Sequence, residues 1–393
     1  MKFPASCSIV LPLVQNRSTE MNLFPPTRDE ALVRIAAVQP AEYSRSRNAL
    51  NGAVTQLSPY ITHGFVSLPE VLKGVRSKHQ LKPEDKLVFE LGWREYYRHV
   101  WQHRGDGIFK SLHEGVLPED AYAHDIPADI LQACTGVPAI DMSVKTLYAT
   151  GYLHNHARMW LASYMVHLRK VHWRVGAKWM YGHLLDGDLA SNHLSWQWVA
   201  GTGSHKPYLF NAENVARFAP LAWHSAGSVI DTTYEDLDQI ARHALSVSSS
   251  TISAATYATE QPPLFSQPPL HLKLQAPNSN TVGGRDVCLI HPWSLGELPK
   301  QFGADTVFVG VYMADFYRNW SWSEKRWQFV NTRMAELTSE RWYGSAAQIT
   351  SALETARQVS GLAEAHAATC LPEHLLNELM PSLFPQLDRQ CDS

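Results

Sequence analysis

The sequence has few cysteines, and they are widely spaced. No two of its five cysteines lie within twenty residues of each other, which excludes a metal knot of the CxxC type and argues against a disulfide framework. We therefore expect the protein to work in the cytoplasm. The cysteines are Cys7, Cys134, Cys288, Cys370 and Cys391.

Long apolar runs and an excess of charge of one sign are also missing. No run of 18 consecutive apolar residues occurs, so we predict no membrane span. The formal net charge at pH 7 is −3, which argues against indiscriminate binding to nucleic acid. A hydrophobic content of 45% with 18% charged residues is typical of a globular protein that buries a large core.

Tryptophan, by contrast, is abundant and unevenly distributed. Seven of the 13 tryptophans lie between residues 93 and 198. Tryptophan is demanding to bury because its indole N–H needs a partner. This density is typical of a large aromatic core, and composition alone does not distinguish such a core from a site that uses the rings.

Helical signals dominate the first part of the chain. Ser58 followed by Pro59 is a good helix start, and residues 67–79 begin with the same kind of signal. Residues 85–104 and 154–174 repeat apolar side chains at helical spacing. The second of these helices is apolar on more than one side, so we expect it to be buried centrally.

The composition changes after about residue 245. The next forty residues are rich in Ser, Thr and Pro and have no periodicity, which is typical of a linker. Residues 286–293 and 305–316 then predict two buried strands, and residues 323–337 and 345–361 predict helices. The sequence thus predicts a mainly α protein in four parts: an N-terminal extension (1–40), a helical domain (41–245), a linker (246–284) and a small α/β segment (285–393).

Residues 183–198, HLLDGDLASNHLSWQW, hold the densest set of side chains with chemical potential. Asp186 and Asp188 flank Gly187, and a carboxylate pair is often a metal or acid–base site. His183 and His193 could complete a metal set, but no helical two-histidine spacing accompanies them. We therefore predict no metal.

The preceding helix contains an arginine that needs a partner. Residues 150–173, TGYLHNHARMWLASYMVHLRKVHW, place Arg158 at the head of the predicted buried helix. A buried arginine demands a carboxylate, and Asp186 is the obvious one. Taken alone, this pair would be a structural salt bridge.

Two further motifs lie upstream, LSPYITHG at 57–64 and FELGWREYYRH at 89–99. Together with the stretches at 150–173 and 183–198, these motifs follow one another in the order found in the FAD-binding domain of the DNA photolyase/cryptochrome family. The chain resembles that domain from about Tyr43 to Phe218. The resemblance implies a helical photolyase-type domain that binds FAD, with reduced FADH⁻ as the active form and damaged DNA as the partner.

The resemblance also implies which residues contact the cofactor. The turn at 55–58 would hold the FAD phosphates, because a helix start and hydroxyl groups suit an anion. Arg158 would help to hold the reduced anion, and Asn192 would face the flavin N5 atom. The implied FAD-binding residues are Tyr43, Thr55, Gln56, Leu57, Ser58, Arg94, Arg158, Asp186, Asp188 and Asn192.

A lesion-binding surface is implied in the same way. Trp93 and Trp198 would form a stacking wall for a flipped-out lesion, at about 1–3 kcal/mol per base, and base flipping is a known property of photolyases. Glu90 would bond the pyrimidine edge, and Met159 favours the cyclobutane type of dimer. The implied DNA-binding residues are Arg47, Glu90, Trp93, Asn155, His156, Met159, Trp198 and Asn211.

An electron relay is implied but incomplete. Trp196 matches the member next to the flavin and Trp173 the middle one, so the implied catalytic residues are Glu90, Asn192, Trp173 and Trp196. Trp173 follows Met159 by fourteen residues, which would place both on one face of one helix. The distal position falls near Ala123, where Tyr122, or another surface aromatic such as Trp179, could substitute.

The sequence departs from the family in two other respects. Only about forty residues precede the resemblance, where family members carry an α/β antenna domain. The C-terminal segment is only faintly similar to part of such a domain, so we do not expect a working antenna chromophore. The turn AVTQLSP has Val54 and Gln56 where hydroxyl and basic residues are usual, and His156 replaces a usual arginine.

Three functions are compatible with these features. The first is a deoxyribodipyrimidine photolyase, a lyase that repairs cyclobutane pyrimidine dimers in DNA. The second is a cryptochrome-like photoreceptor with the same chromophore and no repair. The third is a redox-inert flavoprotein whose C-terminal segment binds a protein that the sequence does not identify. We favour repair, because a signalling protein has no need to keep the lesion residues together.

Overall fold

The computed structural model describes residues 23–247, 258–298, 303 and 305–376. The chain is mostly helical, with a small parallel sheet in its C-terminal part. Within the described residues, none of the helices has the length and apolar character needed to cross a bilayer. The helices before residue 247 are α1 (Arg28–Ala37), α2 (Pro40–Ser46), α3 (Ser58–Thr62), α4 (Leu68–Arg76), α5 (Lys86–Arg104), α6 (Ala128–Leu131), α7 (Pro138–Thr150), α8 (Asn155–Ser163), α9 (Trp173–His183), α10 (Leu189–Ala200), α11 (Ala212–Phe218) and α12 (Tyr234–Arg242).

Local signals explain where several of these helices begin and end. Ser67 and Glu70 form a reciprocal capping box at the start of α4. Asp188 caps α10 by accepting a hydrogen bond from the backbone N–H of Ser191. Gly201 ends the same helix at φ +82°, a left-handed conformation that glycine adopts without strain. The predicted helices at 67–79 and 85–104 are confirmed as α4 and α5.

Two expectations for this part need correction. The predicted N-terminal extension contains α1, whose Ile35 is buried against the Cα of Gly74 in α4. The predicted single helix at 154–174 is two helices. After α8 the chain makes one π turn, Tyr164–Leu168, and Lys170 at φ +54° breaks the helical path before α9. Trp173 therefore does not share a helix with Met159.

The C-terminal part is built on four parallel strands in the order β5-β3-β2-β6. The central strands are almost continuously apolar, because a parallel sheet is covered on both faces. Its elements are β1 (Leu264–Phe265), β2 (Asp286–Ile290), β3 (Val307–Met313), α13 (Ala314–Asn319), β4 (Trp322–Ser323), α14 (Glu324–Leu337), β5 (Arg341–Gly344), α15 (Ala346–Leu353), β6 (Gln358–Gly361) and α16 (Ala365–Ala368).

The prediction for this part is confirmed for β2, β3 and α14 and wrong in two places. The predicted helix at 345–361 ends at Leu353, and its remainder forms β6 beside β2. The predicted linker is partly structured: β1 pairs antiparallel with β4, and Gln275 forms a bridge to Trp342. Its residues 248–257 lie outside the described part of the chain.

The buried apolar side chains form two clusters. The first core joins α1–α5 to the C-terminal sheet and its helices, so that Phe65 stacks on Phe329 of α14 at a ring distance of 5.2 Å. The second core lies among α6–α12 and includes Trp160, Trp173 and Trp196. Helix α10 contributes to both, with Leu194 in the first core and Trp196 in the second. Residues near the start and the end of the chain therefore share one core.

Candidate functional site

Two adjoining cavities lie where the first and second cores meet. The Asn192 cavity has a volume of about 200 Å³ and is lined mainly by α8, α9 and α10. The Tyr43 cavity has a volume of about 270 Å³ and is lined by α2, α5 and the turn at 54–58. Together they reach the range of about 300–1,000 Å³ that is usual for ligand sites. The two cavities share five lining residues: Ser58, Arg94, Asn155, Arg158 and Asp186.

The predicted pair between Arg158 and Asp186 is present between these cavities. Nη2 of Arg158 donates to both carboxylate oxygens of Asp186, at 3.0 and 2.7 Å. The Asp186 side chain is 2% exposed and that of Arg158 24% exposed. The hydroxyl of Ser58 donates to the same carboxylate at 2.5 Å. Ser58 is the first residue of α3 rather than its N-cap. Its hydroxyl connects the turn to the Asp186 carboxylate.

Asp188 is held as a carboxylate at the start of α10. Burial acts to raise its pKa, but Arg94, 3.6 Å away, and the hydrogen bonds from Ser191 outweigh burial and lower the pKa to about 2. His366 also lies 3.8 Å from Asp188. Because His366 accepts the backbone N–H of Leu189 at the nitrogen facing Asp188, we attribute the lowered pKa to Arg94 and Ser191 rather than to a charged imidazole.

Asn192 lies one turn further along α10 and lines the Asn192 cavity. Its side-chain N–H donates to the carbonyl oxygen of Ala177 in α9 at 2.9 Å. This bond sets the orientation of the amide and occupies one of its two N–H donors. Its acceptor oxygen and its second N–H remain for a ligand, so the structure is compatible with an Asn192 that both donates and accepts, and its place at the flavin N5 atom stays a prediction.

The turn before α3 contributes mostly through its backbone. Gln56 has φ +50°, and its side-chain oxygen accepts a hydrogen bond from Arg34 at 2.8 Å. The side chain of Leu57 is buried in the first core, so only its backbone can face a ligand. Thr55 and Tyr43 line the Tyr43 cavity, and burial raises the pKa of Tyr43 to about 12. Tyr43 therefore offers a protonated hydroxyl.

Three of the predicted lesion residues lie around these cavities. The side-chain N–H of Asn155 points at the sulfur of Met159, 3.5 Å away, and both residues line the Asn192 cavity. Glu90 lines the Tyr43 cavity and pairs with Lys86 at 3.0 Å and Arg47 at 3.5 Å. A substrate group that bonds Glu90 would therefore compete with two cations.

The two predicted stacking tryptophans lie at the surface outside the cavity linings. Trp93 is 41% and Trp198 is 42% exposed, which is unusual for so large an apolar side chain. Trp93 belongs to an exposed aromatic group on α5 with Phe89 and Tyr96, at ring distances of 6.0 and 5.5 Å. Trp198 packs on Tyr208 at 5.7 Å. Both rings are available to a partner.

The remaining three predicted DNA residues have different surroundings. Arg47 lines the Tyr43 cavity beside Glu90. His156 lines the Tyr43 cavity and packs on Phe218, and burial lowers its pKa. Asn211 is 8% exposed and caps α11, where it accepts the N–H of Asn214 and donates to the carbonyl of Thr232. These bonds give Asn211 a capping role inside the protein, and its contact with DNA stays a prediction.

The relay tryptophans are both buried in the second core. Trp196 lines the Asn192 cavity and its ring lies against α9, where a Cβ on Gly176 would come within 2.4 Å of it. Trp173 begins the same helix, and its N–H donates to Ser111. Next to it, the ring of His172 lies 5.8 Å from Trp173 and 6.2 Å from the half-buried Tyr122. Trp179 is buried, so it does not provide a surface terminus.

A third cavity, of about 540 Å³, lies on the other side of Arg94 and Asp188 and is lined by Trp293 and the carboxyl ends of β2 and β6. Ligands often bind at such an edge in α/β sheets. Its lining has five carboxylates against two arginines, whereas the Tyr43 cavity has three arginines against two carboxylates. The Tyr43 cavity is therefore the better place for phosphates.

Among the described residues, no group of three His, Cys, Asp or Glu side chains is arranged to hold a metal.

Sequence reasoning did not identify two residues that contact the loop carrying Asp186 and Asp188. Arg326 of α14 donates to the carbonyl of Gly187, and His366 of α16 accepts the N–H of Leu189. The sequence around each residue does not indicate its contact with the loop, because each lies in an ordinary helical stretch more than a hundred residues away. Only the packing of the C-terminal part brings them there.

Comparison with known proteins finds similarity over the helical part of the chain. Residues 87–245 match the family model described as the FAD binding domain of DNA photolyase. A deoxyribodipyrimidine photo-lyase from Streptomyces griseus is 36% identical over 169 residues, which cover 42% of this chain and 36% of that protein. A cryptochrome DASH from Idiomarina loihiensis is 31% identical over 169 residues, 41% of this chain and 38% of that protein.

Solved structures resemble the chain with lower sequence identity. An archaeal photolyase from Sulfolobus tokodaii, crystallised with two FAD molecules, has a TM-score of 0.45 and 24% identity, covering 62% of this chain and 54% of that one. A cryptochrome from Synechocystis has a TM-score of 0.43 and 26% identity, covering 49% and 43%. The chain spans little more than a third of the length of the curated relatives it matches.

Proposed function

We propose that this chain, whose helical part belongs to the FAD-binding domains of the photolyase/cryptochrome family, is a light-driven enzyme that repairs cyclobutane pyrimidine dimers in DNA. The observation that carries the proposal is the grouping of Glu90, Asn155 and Met159 around the same pair of cavities as the flavin-site residues. A protein that only senses light has no need for this grouping.

The residues present fit FAD. Arg47, Arg94 and Arg158 give the Tyr43 cavity a positive lining suited to a pyrophosphate, and the start of α3 adds backbone N–H groups. Asp186 would hold Arg158 in place, and Asn192 would offer its side-chain oxygen to a donor on the isoalloxazine ring. Bound FAD would supply the absorption of light and the transferable electron.

The chain itself would bind and orient the lesion. Trp93 and Trp198 would stack on a dimer taken out of the duplex, where its pairing is already poor. Glu90 would accept a hydrogen bond from the pyrimidine edge, and Met159 would pack against the ring face. Repair breaks two carbon–carbon bonds and consumes no net electrons, so no further substrate is needed.

The test is to illuminate the reduced, FAD-loaded protein with dimer-containing DNA and to measure the loss of dimers. Single- and double-stranded oligonucleotides are compared, with a dark sample as the control. We expect loss of dimers in the light alone, and Glu90→Gln should repair more slowly than the parent with FAD still bound. Full flavin reduction and illumination without any loss of dimers would contradict the proposal.

A second function, blue-light photoreception without repair, is favoured by a different observation. The aromatic series Trp196, Trp173, His172 and Tyr122 includes the ring next to the Asn192 cavity and rings that contact one another from Trp173 to Tyr122, and electron transfer along it would need no DNA. Some relatives are named cryptochrome DASH. A protein that photoreduces its flavin and leaves dimers intact would support this alternative.

A further inference from the structure

The loop that carries Asp186 and Asp188 contacts the C-terminal part of the chain on the side that faces away from the cavities. Asp186, Gly187 and Asp188 lie between α9 and α10. Asp186 and Asp188 line the cavities, while Gly187 and Leu189 face α14 and α16. The contacts on this rear side come from residues more than 130 positions later in the sequence.

Arg326 is the first of these contacts. It is completely buried, and among the described residues it forms no ion pair. Its guanidinium lies 4.1 Å from the ring of Trp322 and 4.7 Å from that of Tyr181, and it donates to the carbonyl oxygens of Gly187 at 2.5 Å and Tyr181 at 3.3 Å. A Cβ on Gly187 would come within 2.5 Å of this guanidinium. The carbonyl oxygen of Tyr181 would lie 2.7 Å from the same Cβ, so the glycine between the two aspartates is needed because both groups approach closely.

His366 is the second contact. Its Nε2 accepts the backbone N–H of Leu189, the first residue of α10, at 3.1 Å. Its Nδ1 therefore carries the proton and donates to Glu364 at 2.9 Å. The ring is 1% exposed and stacks on Trp293 at 4.7 Å. A neutral, fully engaged imidazole thus satisfies one of the free N–H groups at the start of the helix that carries Asn192.

We propose that Arg326 and His366 are positioning residues of the flavin site, so that the C-terminal segment completes this site. Arg326 sets the peptide between Asp186 and Asp188, and His366 sets the start of α10 and with it Asn192. The expected consequence is that FAD affinity depends on the C-terminal segment, and this consequence rests on the proposed flavin function. The position of the loop itself can be measured without FAD.

The test measures backbone hydrogen exchange of the full-length apoprotein over residues 185–192, and then the dissociation constant for FAD. In His366→Leu and Arg326→Leu, exchange should rise about tenfold or more and FAD binding should weaken by a similar factor, as expected when a buried backbone group loses its partner. His366→Gln, which keeps an acceptor for Leu189, should restore both quantities to near the parent values. If His366→Leu does not fold, His366→Asn, which is too short to reach Leu189, takes its place.

Matched controls separate positioning from general stability. Arg333→Leu alters an arginine on the same helix that donates to Leu295 and Gly296, and His224→Leu alters a half-buried histidine bonded to the backbone carbonyl of Ala219 far from the loop. Both should lower the melting temperature and leave exchange at 185–192 within about twofold of the parent. Equal effects of controls and test variants would overturn the proposal. A parent that binds no FAD but shows the expected exchange pattern would overturn the flavin function and support the positioning of the loop.

Discussion

The two cores of this protein are assembled from the chain in different ways. The second core uses one continuous stretch of helices, α6–α12, whereas the first core joins α1–α5 to a C-terminal sheet some two hundred residues away. The candidate site lies where they meet, with Ser58 and Arg94 on one side and Asn155 and Arg158 on the other. The residues that match the photolyase family come from both cores, so the site depends on how the cores are held together.

The largest effect should come from breaking the ion pair between the cores. In Asp186→Ala, Arg158 and Ser58 lose their shared partner, and we expect loss of FAD together with a cost of about 3 kcal/mol in the free energy of unfolding. Urea denaturation and the flavin absorbance of the purified protein measure the two effects. Asp129→Ala, which breaks the pair with Arg169 in the second core, should cost similar stability and retain FAD. Full FAD occupancy in Asp186→Ala would show that the pair is not part of the site.

The next effect tests whether the second core conducts electrons. Trp196→Phe should bind FAD normally and fail to photoreduce it, because the ring next to the cavity is lost from the aromatic series. The measurement is the flavin absorbance during illumination with an external reductant. Trp179→Phe, another buried tryptophan of the same core, should photoreduce at the parental rate. If Trp196→Phe also photoreduces FAD at the parental rate, electrons reach the flavin by a path that does not include Trp196. Tyr122→Phe tests the proposed end of the path.

Both cores contain buried histidines that should respond to acid, and burial lowers the pKa of His63 and His291 beside the first core. Burial lowers the pKa of four histidines in the second part of the helical region to about 4 each: His154, His167, His183 and His193. Since the unfolded chain binds these protons near pH 6.5, folding stability is fully present above that pH and is lost as the pH falls from about 6.5 to 4. The lowered pKa of Asp188 adds a further loss between about pH 4 and 2.

Urea denaturation across this pH range tests the expectation. His183→Gln should flatten the pH dependence between about 6.5 and 4, because one buried proton-binding group is removed. His243→Gln, at an exposed position, should leave the pH dependence unchanged. Equal curves for parent and His183→Gln would show that His183 does not contribute to the acid response.

The smallest effect concerns the exposed surface. Trp198→Ala should weaken binding to dimer-containing DNA by about 5- to 150-fold, for a stacking loss of about 1–3 kcal/mol. Tyr234→Ala removes an equally exposed aromatic side chain from α12 and should have no such effect. Binding is measured at fixed salt, since phosphate contacts depend on ionic strength. Equal affinity of Trp198→Ala and the parent would remove Trp198 from the proposed DNA surface.

The sequence predicted the helical character, most helix positions and the pairing of Arg158 with Asp186, because these follow from local periodicity and from motifs of fixed spacing. It was wrong about the single helix at 154–174. There Lys170, in a left-handed conformation and with its ammonium bonded to three backbone carbonyls, interrupts a pattern that is apolar on more than one side. It was also wrong at 345–361, where a helix-favouring composition gives way to a strand because β2 offers an open edge to pair with.

The sequence by itself determined that Asp186, Asp188 and Asn192 lie close together on one turn and its helix, and the resemblance of these motifs to a known family made them candidates for a flavin site. Only the tertiary structure decided what holds that turn. Arg326 and His366 reach it from the far end of the chain because burying the C-terminal sheet against α1–α5 removes apolar surface from water, and this packing leaves the rear of the loop facing α14 and α16. Contacts between such distant residues have no local periodicity or spacing by which a single sequence could indicate them.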